Sequence, residues 1–398
     1  MKIKNFVLII LFFISYSIVP QAQSALPFLS VQQSPFLQGA GQTGVAIVSN
    51  DPLGFYYNPA ILGFTAKSNH ISFLFLPEKV EWIGLDNIKV NSYGSNLGYN
   101  FEKSIPLSIG IGFIHNSIKY DNYIDDSFNS FSIGASLNYP VSFSFGFSLK
   151  KFNSIFWVPP FGPLPQTYAE ASGIAYDIGA LLNFPVSELL FKNARYDFNN
   201  NLFVTPEFNY TLGYSVTNLG KEIYYTDPAQ SDPIPRTARL GYLINLGFNL
   251  NFNNKIISFL DYTFVAEASD ILIQRDNNGA LSYKGPLGDI NIGKNLIQLK
   301  YDNNTLIHKG HIFNLFETVK IAFGNFIGKG YEYNVKTSSL VFSTNGLFKL
   351  LSEPEDSSVL GFITNHIGLE YTTSNVFKDV PIETNYKAIS IFYKNFDL

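Results

Sequence analysis

The 398-residue sequence predicts an all-β protein, a transmembrane antiparallel β-barrel of about 14 strands, and three observations lead there. Apolar residues alternate with small or polar ones along many short segments. Only 15% of the residues are charged, whereas 16% are aromatic, with 38 Phe and 24 Tyr. Soluble domains carry about 25% charged residues. A surface this poor in charge suits lipid, whose interfaces also attract aromatic girdles. Finally, an apparent export signal is followed by no apolar run long enough to cross a bilayer as a helix, which leaves strands to do so. A Phe-rich soluble β-sandwich is the alternative.

At the N-terminus, Lys2 and Lys4 precede an apolar stretch from Phe6 to Val19. Ala22-Gln23-Ser24 then places small residues at −3 and −1 for cleavage after Ser24, with cleavage after Ala22 as the second option. Residues 1–24 are therefore expected to be a signal peptide, too short in its apolar part to span a membrane. There is no cysteine, which excludes disulfides, thiolate metal sites, Cys nucleophiles and a lipidated Cys. The net charge of −4 and the lack of a basic run exclude a phosphate-tracking surface, so no nucleic-acid partner is expected.

Successive side chains of a strand point to opposite faces, and the alternation supplies one oily face and one wet face. Phe131, Ile133, Ala135 and Leu137 alternate with Ser132, Gly134, Ser136 and Asn138. After Tyr139-Pro140, Val141, Phe143, Phe145, Phe147 and Leu149 continue the pattern. It recurs at Leu107–Phe113, Ile174–Phe184, Phe208–Val216 and Leu240–Phe248, and more weakly near Val319, Ile367 and Ile389. Asp177, Asp261 and Glu370 fall on the wet face and read as solvated lumen residues. Tight turns are expected at 103–106, 139–140 and 251–254, as on a periplasmic side. Long loops are expected at 77–92, 153–172 and 218–236, as on an extracellular side. The stretch 187–205 breaks this rule by being long on the inner side.

Several motifs suggest chemistry without the context it needs. Gly39-Ala40-Gly41-Gln42-Thr43-Gly44 matches a dinucleotide fingerprint, but no strand precedes it and no βαβ unit follows. His308 and His311, three apart on a strand, face opposite ways and share no metal. No G-x-S-x-G elbow is present. No cofactor, metal or catalytic residue is expected, and the protein reads as a non-enzyme. The stretch Phe156-Trp157-Val158-Pro159-Pro160-Phe161-Gly162-Pro163-Leu164-Pro165 reads as a stiff apolar loop, either a partner contact or a cover folded over its own barrel rim. As exposed aromatic anchors, Phe156, Trp157, Pro159, Pro160 and Phe161 form a hypothetical partner-docking site.

Residues 34–64 combine Gly39, Gly41 and Gly44 with Asp51 and a Tyr57-Asn58-Pro59-Ala60 box. A second block joins Asn218-Leu219-Gly220 to Pro235-Arg236 and a Leu-Gly strand. Together these blocks resemble the PorV/PorQ branch of FadL-like barrels. The resemblance implies a 14-stranded FadL-like barrel over residues 66–398, with residues 25–65 folded into the lumen as a hatch. It further implies an outer-membrane role in type IX secretion in Bacteroidota. Its partners there would be the translocon barrel, the C-terminal signal domains of cargo and the attachment-complex sortase. The alternative function is a FadL-type channel for hydrophobic small molecules. Independently of the resemblance, the small residues 39–46 permit close backbone packing, and Asp51-Pro52 and Asn58-Pro59 form turns.

Overall fold

The structure, a computed structural model, describes residues 24–396 apart from 86, 102–104, 122, 159–166, 193, 200–201, 253–254, 276–280, 352–358 and 381. Among the described residues sixteen strands share one sheet, of which Val80–Glu81 and Tyr196–Asn199 are short side pairings. The other fourteen form a closed antiparallel ring. They are β1 (His70–Phe75), β2 (Ile88–Asn100), β3 (Leu107–Tyr120), β4 (Ile124–Tyr139), β5 (Val141–Val158), β6 (Thr167–Pro185) and β7 (Leu202–Gly220). The chain continues through β8 (Thr237–Phe252), β9 (Lys255–Ile271), β10 (Thr305–Leu315), β11 (Val319–Gly328), β12 (Tyr331–Ser343), β13 (Ile367–Val376) and β14 (Thr384–Lys394). The ring closes where β1 pairs with both β14 (His70↔Lys394) and β2 (His70↔Gly98). No helix among the described residues is long and apolar enough to cross a membrane.

Closure is what makes this sheet stable in lipid, because a closed ring leaves no unpaired strand edge in the hydrocarbon. Its outer face carries a belt of exposed apolar side chains, including Phe131, Ile133, Phe143, Phe145, Leu246 and Phe323. Their in-strand neighbours Ser132, Ser136, Ser142 and Ser144 are buried on the luminal side. The period-2 pattern thus divides one strand surface between lipid and lumen. His308 and His311 obey it, with His308 buried inside and His311 exposed outside against Tyr262.

The connections depart from expectation at several points. Residues 153–158 and 167–172, expected in a loop, extend β5 and β6, which pair up to Val158↔Thr167. Phe156 and Trp157 are therefore strand residues opposite Ala169 and Tyr168, not loop anchors. Pro159, Pro160 and Phe161 lie outside the described residues, as do residues 1–23 of the expected signal segment 1–24. Likewise, β2 already begins at Ile88 and β7 ends at Gly220, which shortens both neighbouring loops. On the outer side, β3–β4 and β11–β12 are joined tightly (Tyr120↔Ile124, Gly328↔Tyr331). The inner β12–β13 connection is instead long and carries two short helices, Thr344–Leu351 and Val359–His366. The stretch 187–205 contains a strand extension, since Tyr196 and Asp197 pair with Val204 and Phe203 of β7.

Glycine sets the level at which the lumen can be filled. Gly98, Gly110, Gly134, Gly146 and Gly179 stand directly opposite one another across β2–β6. Gly213 faces Gly241 across β7–β8, and Gly310 faces Gly324 across β10–β11. A Cβ at Gly134 would collide with the Pro59 carbonyl and the Gly63 amide, and one at Gly146 with the Pro59–Ala60 peptide. Luminal backbone therefore lies directly on wall backbone. Gly134→Val is expected to overpack this seat at a cost of about 1–3 kcal/mol. The check is heat-modifiable gel migration combined with limited proteolysis. The folded barrel band should persist while cleavage within residues 35–65 appears.

Candidate functional site: the luminal hatch and its latches

Residues 25–69 precede β1, and most of them are buried within the ring. The segment begins near the outer end, where the Ala25 amide donates to the Pro233 carbonyl of the β7–β8 loop (2.9 Å). It then descends to the inner end, where Lys67 Nζ donates to Ser142 Oγ (2.7 Å). Two short helices order it. Ser34 caps the first, α1 (Pro35–Gly39), by accepting from the Leu37 amide (3.1 Å), and Pro35 at the first position supplies a preset φ. The second, α2 (Ala60–Thr65), follows Asn58-Pro59, with the Ala60 amide donating to Asn58 Oδ1 (3.1 Å). Asp51 accepts from Ser34 Oγ and from the Leu53 amide. Burial raises its carboxyl pKa against the opposing effect of these bonds.

The sequence-singled residues of the hatch converge on the wall. Gly39 and Gly41 straddle β12, where Thr337 Oγ1 donates to the Gly39 carbonyl (2.7 Å) and accepts from the Gly41 amide (2.9 Å). Gly41 has φ +83°, with the Lys309 carbonyl where a side chain would start, so only glycine fits. Asn58 Nδ2 donates to the Val45 carbonyl (2.7 Å) and the Ala180 carbonyl of β6 (3.1 Å), tying hatch to hatch and hatch to wall. Pro59 and Ala60 rest on Gly146. Tyr57 is almost fully buried, and its hydroxyl donates to the Ser30 carbonyl (2.9 Å). Burial pushes this phenol up to about 12, which keeps it neutral.

Two buried charge clusters, not singled out in the sequence as a site, hold the hatch. Glu267 of β9 accepts from the Gly44 and Val45 amides (2.8 and 2.9 Å) through one oxygen and from Arg239 of β8 (2.6 Å) through the other. The Arg239 guanidinium in turn lies 3.5 Å from the centroid of the Tyr57 ring. Beside them, His308 Nδ1 donates to the Gly41 carbonyl (2.9 Å), so the Ser269 hydroxyl donates to Nε2 (3.1 Å). The second cluster is Lys150–Asp177 (2.9 Å), with Lys150 Nζ also 4.1 Å from the Tyr56 ring centroid. Asp177, expected to be solvated, is fully buried. It faces a bulge of β7 rather than open water.

Asn218 occupies that bulge at φ +57°, a left-handed angle that Asn tolerates better than most residues. Its amide donates to Asp177 (2.8 Å) and its Oδ1 accepts from Lys150 (3.0 Å). Its Nδ2 donates to Leu29 of the hatch (3.2 Å) and to the Pro235 carbonyl (3.1 Å). One asparagine therefore joins wall, hatch and outer loop. Leu219 continues β7, and Gly220 accepts from Arg236 Nη2 (3.5 Å). Arg236 also stacks 3.8 Å from the centroid of the Tyr283 ring. The Phe156–Trp157 pair is not part of this assembly, and Trp157 packs on Tyr123 (5.0 Å between centroids).

The lumen differs above and below the hatch seat. On the outer side, Val90, Ile114, Ile118, Phe128 and Phe152 point inward and pack around Phe28, Leu29 and Tyr56 of the hatch. On the inner side lies a cavity of about 650 Å³ whose lining includes Lys67, Asn100, Asn138, Asn183, Asn209 and Asn245. A second, of about 390 Å³, contains Asp51, Asp261, Lys320 and Glu370. No group of three or more acidic, His or Cys side chains among the described residues is placed to hold a metal.

Glu267→Ala leaves Arg239 buried without its partner, which costs about 3–5 kcal/mol. It also releases the Gly44 and Val45 amides. Urea unfolding and planar-bilayer recordings check this, with expected outcomes of a lower midpoint and new ion conductance. Asn218→Gly keeps the backbone angle and loses the bridges, so it should release Leu29 to protease while the barrel stays folded.

No family model matches the sequence, and no curated protein matches it. Among solved structures the chain is similar to the CymD monoaromatic hydrocarbon channel (12% identity, 92% of this chain and 98% of that chain covered, TM-score 0.45). It is similar to a Pseudomonas aeruginosa FadL homologue (9%, 90% and 98%, 0.40) and to the Pseudomonas putida toluene transporter TodX (11%, 91% and 98%, 0.38). By its own register, closed seams and apolar belt, the chain is a fourteen-stranded transmembrane β-barrel with a hatch in its lumen.

Proposed function

We propose that the protein is a gated outer-membrane passage for hydrophobic small molecules, with the hatch as its gate. The observation that carries this reading is an apolar patch on the outer half of the lumen wall, built from inward-facing Val90, Ile114, Ile118, Phe128 and Phe152 beside the polar Asn116 and Lys150. A water-filled pore has a polar interior, whereas this one offers an oily path that Leu26, Phe28 and Leu29 now occupy. Withdrawal of those residues opens a compartment whose chemistry matches an aromatic hydrocarbon or a long acyl chain. The CymD and TodX names, a monoaromatic hydrocarbon channel and a toluene transporter, suggest such ligands to test. The test is uptake of radiolabelled toluene and of a long-chain fatty acid by cells lacking the gene. A several-fold loss, restored by the wild-type gene and not by Phe128→Asp, is expected. Unchanged uptake of both overturns the reading.

A second reading is favoured by the occupied lumen and by the Asn218–Pro235–Arg236 junction, which match the PorV resemblance. In that reading the barrel carries no small molecule. It docks beside the type IX translocon barrel, receives the C-terminal signal domains of cargo and passes them to the sortase. Retention of such cargo in the periplasm of the deletion strain, with normal hydrocarbon and fatty-acid uptake, selects this reading over the first.

A further inference from the structure

The connection between β9 and β10 opens with a short hairpin pairing of Ile273–Arg275 with Leu281–Tyr283, and residues 284–301 then fold back along the outside of the wall. Leu272, Ile290 and Leu296 pack on Val216, Ala238, Ala268 and Ile307, outward-facing residues of β7–β10. Tyr214 Oη donates to the Pro286 carbonyl (2.9 Å) and Tyr242 Oη to the Leu296 carbonyl (3.4 Å). Asp270 fixes the flap by accepting from Lys284 (2.9 Å) and from the Asp289 amide (2.8 Å). Fully buried Asn295 accepts from the Asn291 amide (2.6 Å) and donates to the Lys300 carbonyl (2.8 Å). The flap is thus an internally bonded unit that contains a turn of π-helix, Ile292–Ile297.

Its free face carries large apolar side chains between polar ones such as Lys294, Gln298 and Lys300. Ile297 is 75% exposed and Ile292 55%, with Leu287 and Tyr301 also exposed. Large aliphatic side chains on an ordered segment mark a contact surface. Their position identifies what covers them. Between Phe252 at the inner turn and Tyr242 lie about 10 residues, the length a tilted strand needs to cross the hydrocarbon. The outward side chains Phe248 and Leu246 fill that interval and belong to the lipid belt. Tyr242, which holds Leu296, is therefore at the outer edge of the hydrocarbon, and the π-helix continues the belt at its level.

We propose that the flap is an outer-leaflet anchor that inserts Ile292 and Ile297 among the acyl chains of the lipid beside β8–β9. This surface is independent of what passes through the lumen. The absence of native cysteine allows single nitroxide labels at Ile297→Cys, at Phe145→Cys in the belt and at Lys79→Cys in the outer β1–β2 loop. Each labelled protein is reconstituted in phospholipid nanodiscs, with heat-modifiable migration confirming the fold, and oxygen and nickel-chelate accessibilities are compared. Position 297 should behave like position 145, favouring oxygen severalfold over the chelate. Chelate accessibility equal to that at position 79 overturns the proposal. So does a label that is chelate-accessible in nanodiscs and shielded from both reagents in native membranes, which assigns the face to a protein partner.

Discussion

Contact between luminal backbone and wall backbone, made possible by glycine at opposed inward positions, is the constraint on which the rest of the structure depends. Barrel interiors are ordinarily separated from their contents by a layer of side chains. Here the row from Gly98 to Gly179 removes that layer over five strands, and α2 with the turn before it settles into the space. Backbone amides and carbonyls brought this close need partners. Thr337, Asn58 and Ser108 supply them, the last by donating to the Gly63 carbonyl (2.7 Å). Glycine thus sets the height of the hatch and polar wall residues set its register.

The buried charges follow from the same geometry. An isolated carboxylate in the lumen wall would be costly. Glu267 avoids that cost by meeting Arg239 on one side and two hatch amides on the other. Two of its three hydrogen bonds come from the hatch, so displacing the hatch strips the carboxylate of partners. Lys150–Asp177 is coupled in the same way through Asn218, which reaches Leu29. Latch and seat are therefore linked, and hatch movement carries an electrostatic penalty that a ligand or partner must offset.

Much of this was legible in the sequence. The strands announce themselves because lipid outside and small residues inside give a clean alternation, as at 131–138 and 141–149. Residues 153–158 and 167–172 lost that signal because a strand projecting beyond the hydrocarbon no longer needs an oily outer face. The flap at 281–301 has no period, since its apolar residues cover a wall rather than forming one. The glycine seat was hidden in plain view. Inward Gly and inward Ser both read as small luminal residues, and only the cross-strand register shows that Gly110, Gly134, Gly146 and Gly179 stand in line. Asp177 was misread because its partner, Lys150, is 27 positions away and becomes adjacent only through strand pairing.

Native-state hydrogen exchange resolved to single amides tests the central claim most directly. If the hatch is seated on the glycine row and held by Glu267, the Gly44 and Val45 amides exchange as slowly as those of β8 and β9 in the same protein. Exchange of these two amides at the rate of exposed loop amides, with the barrel strands protected, would contradict a seated hatch.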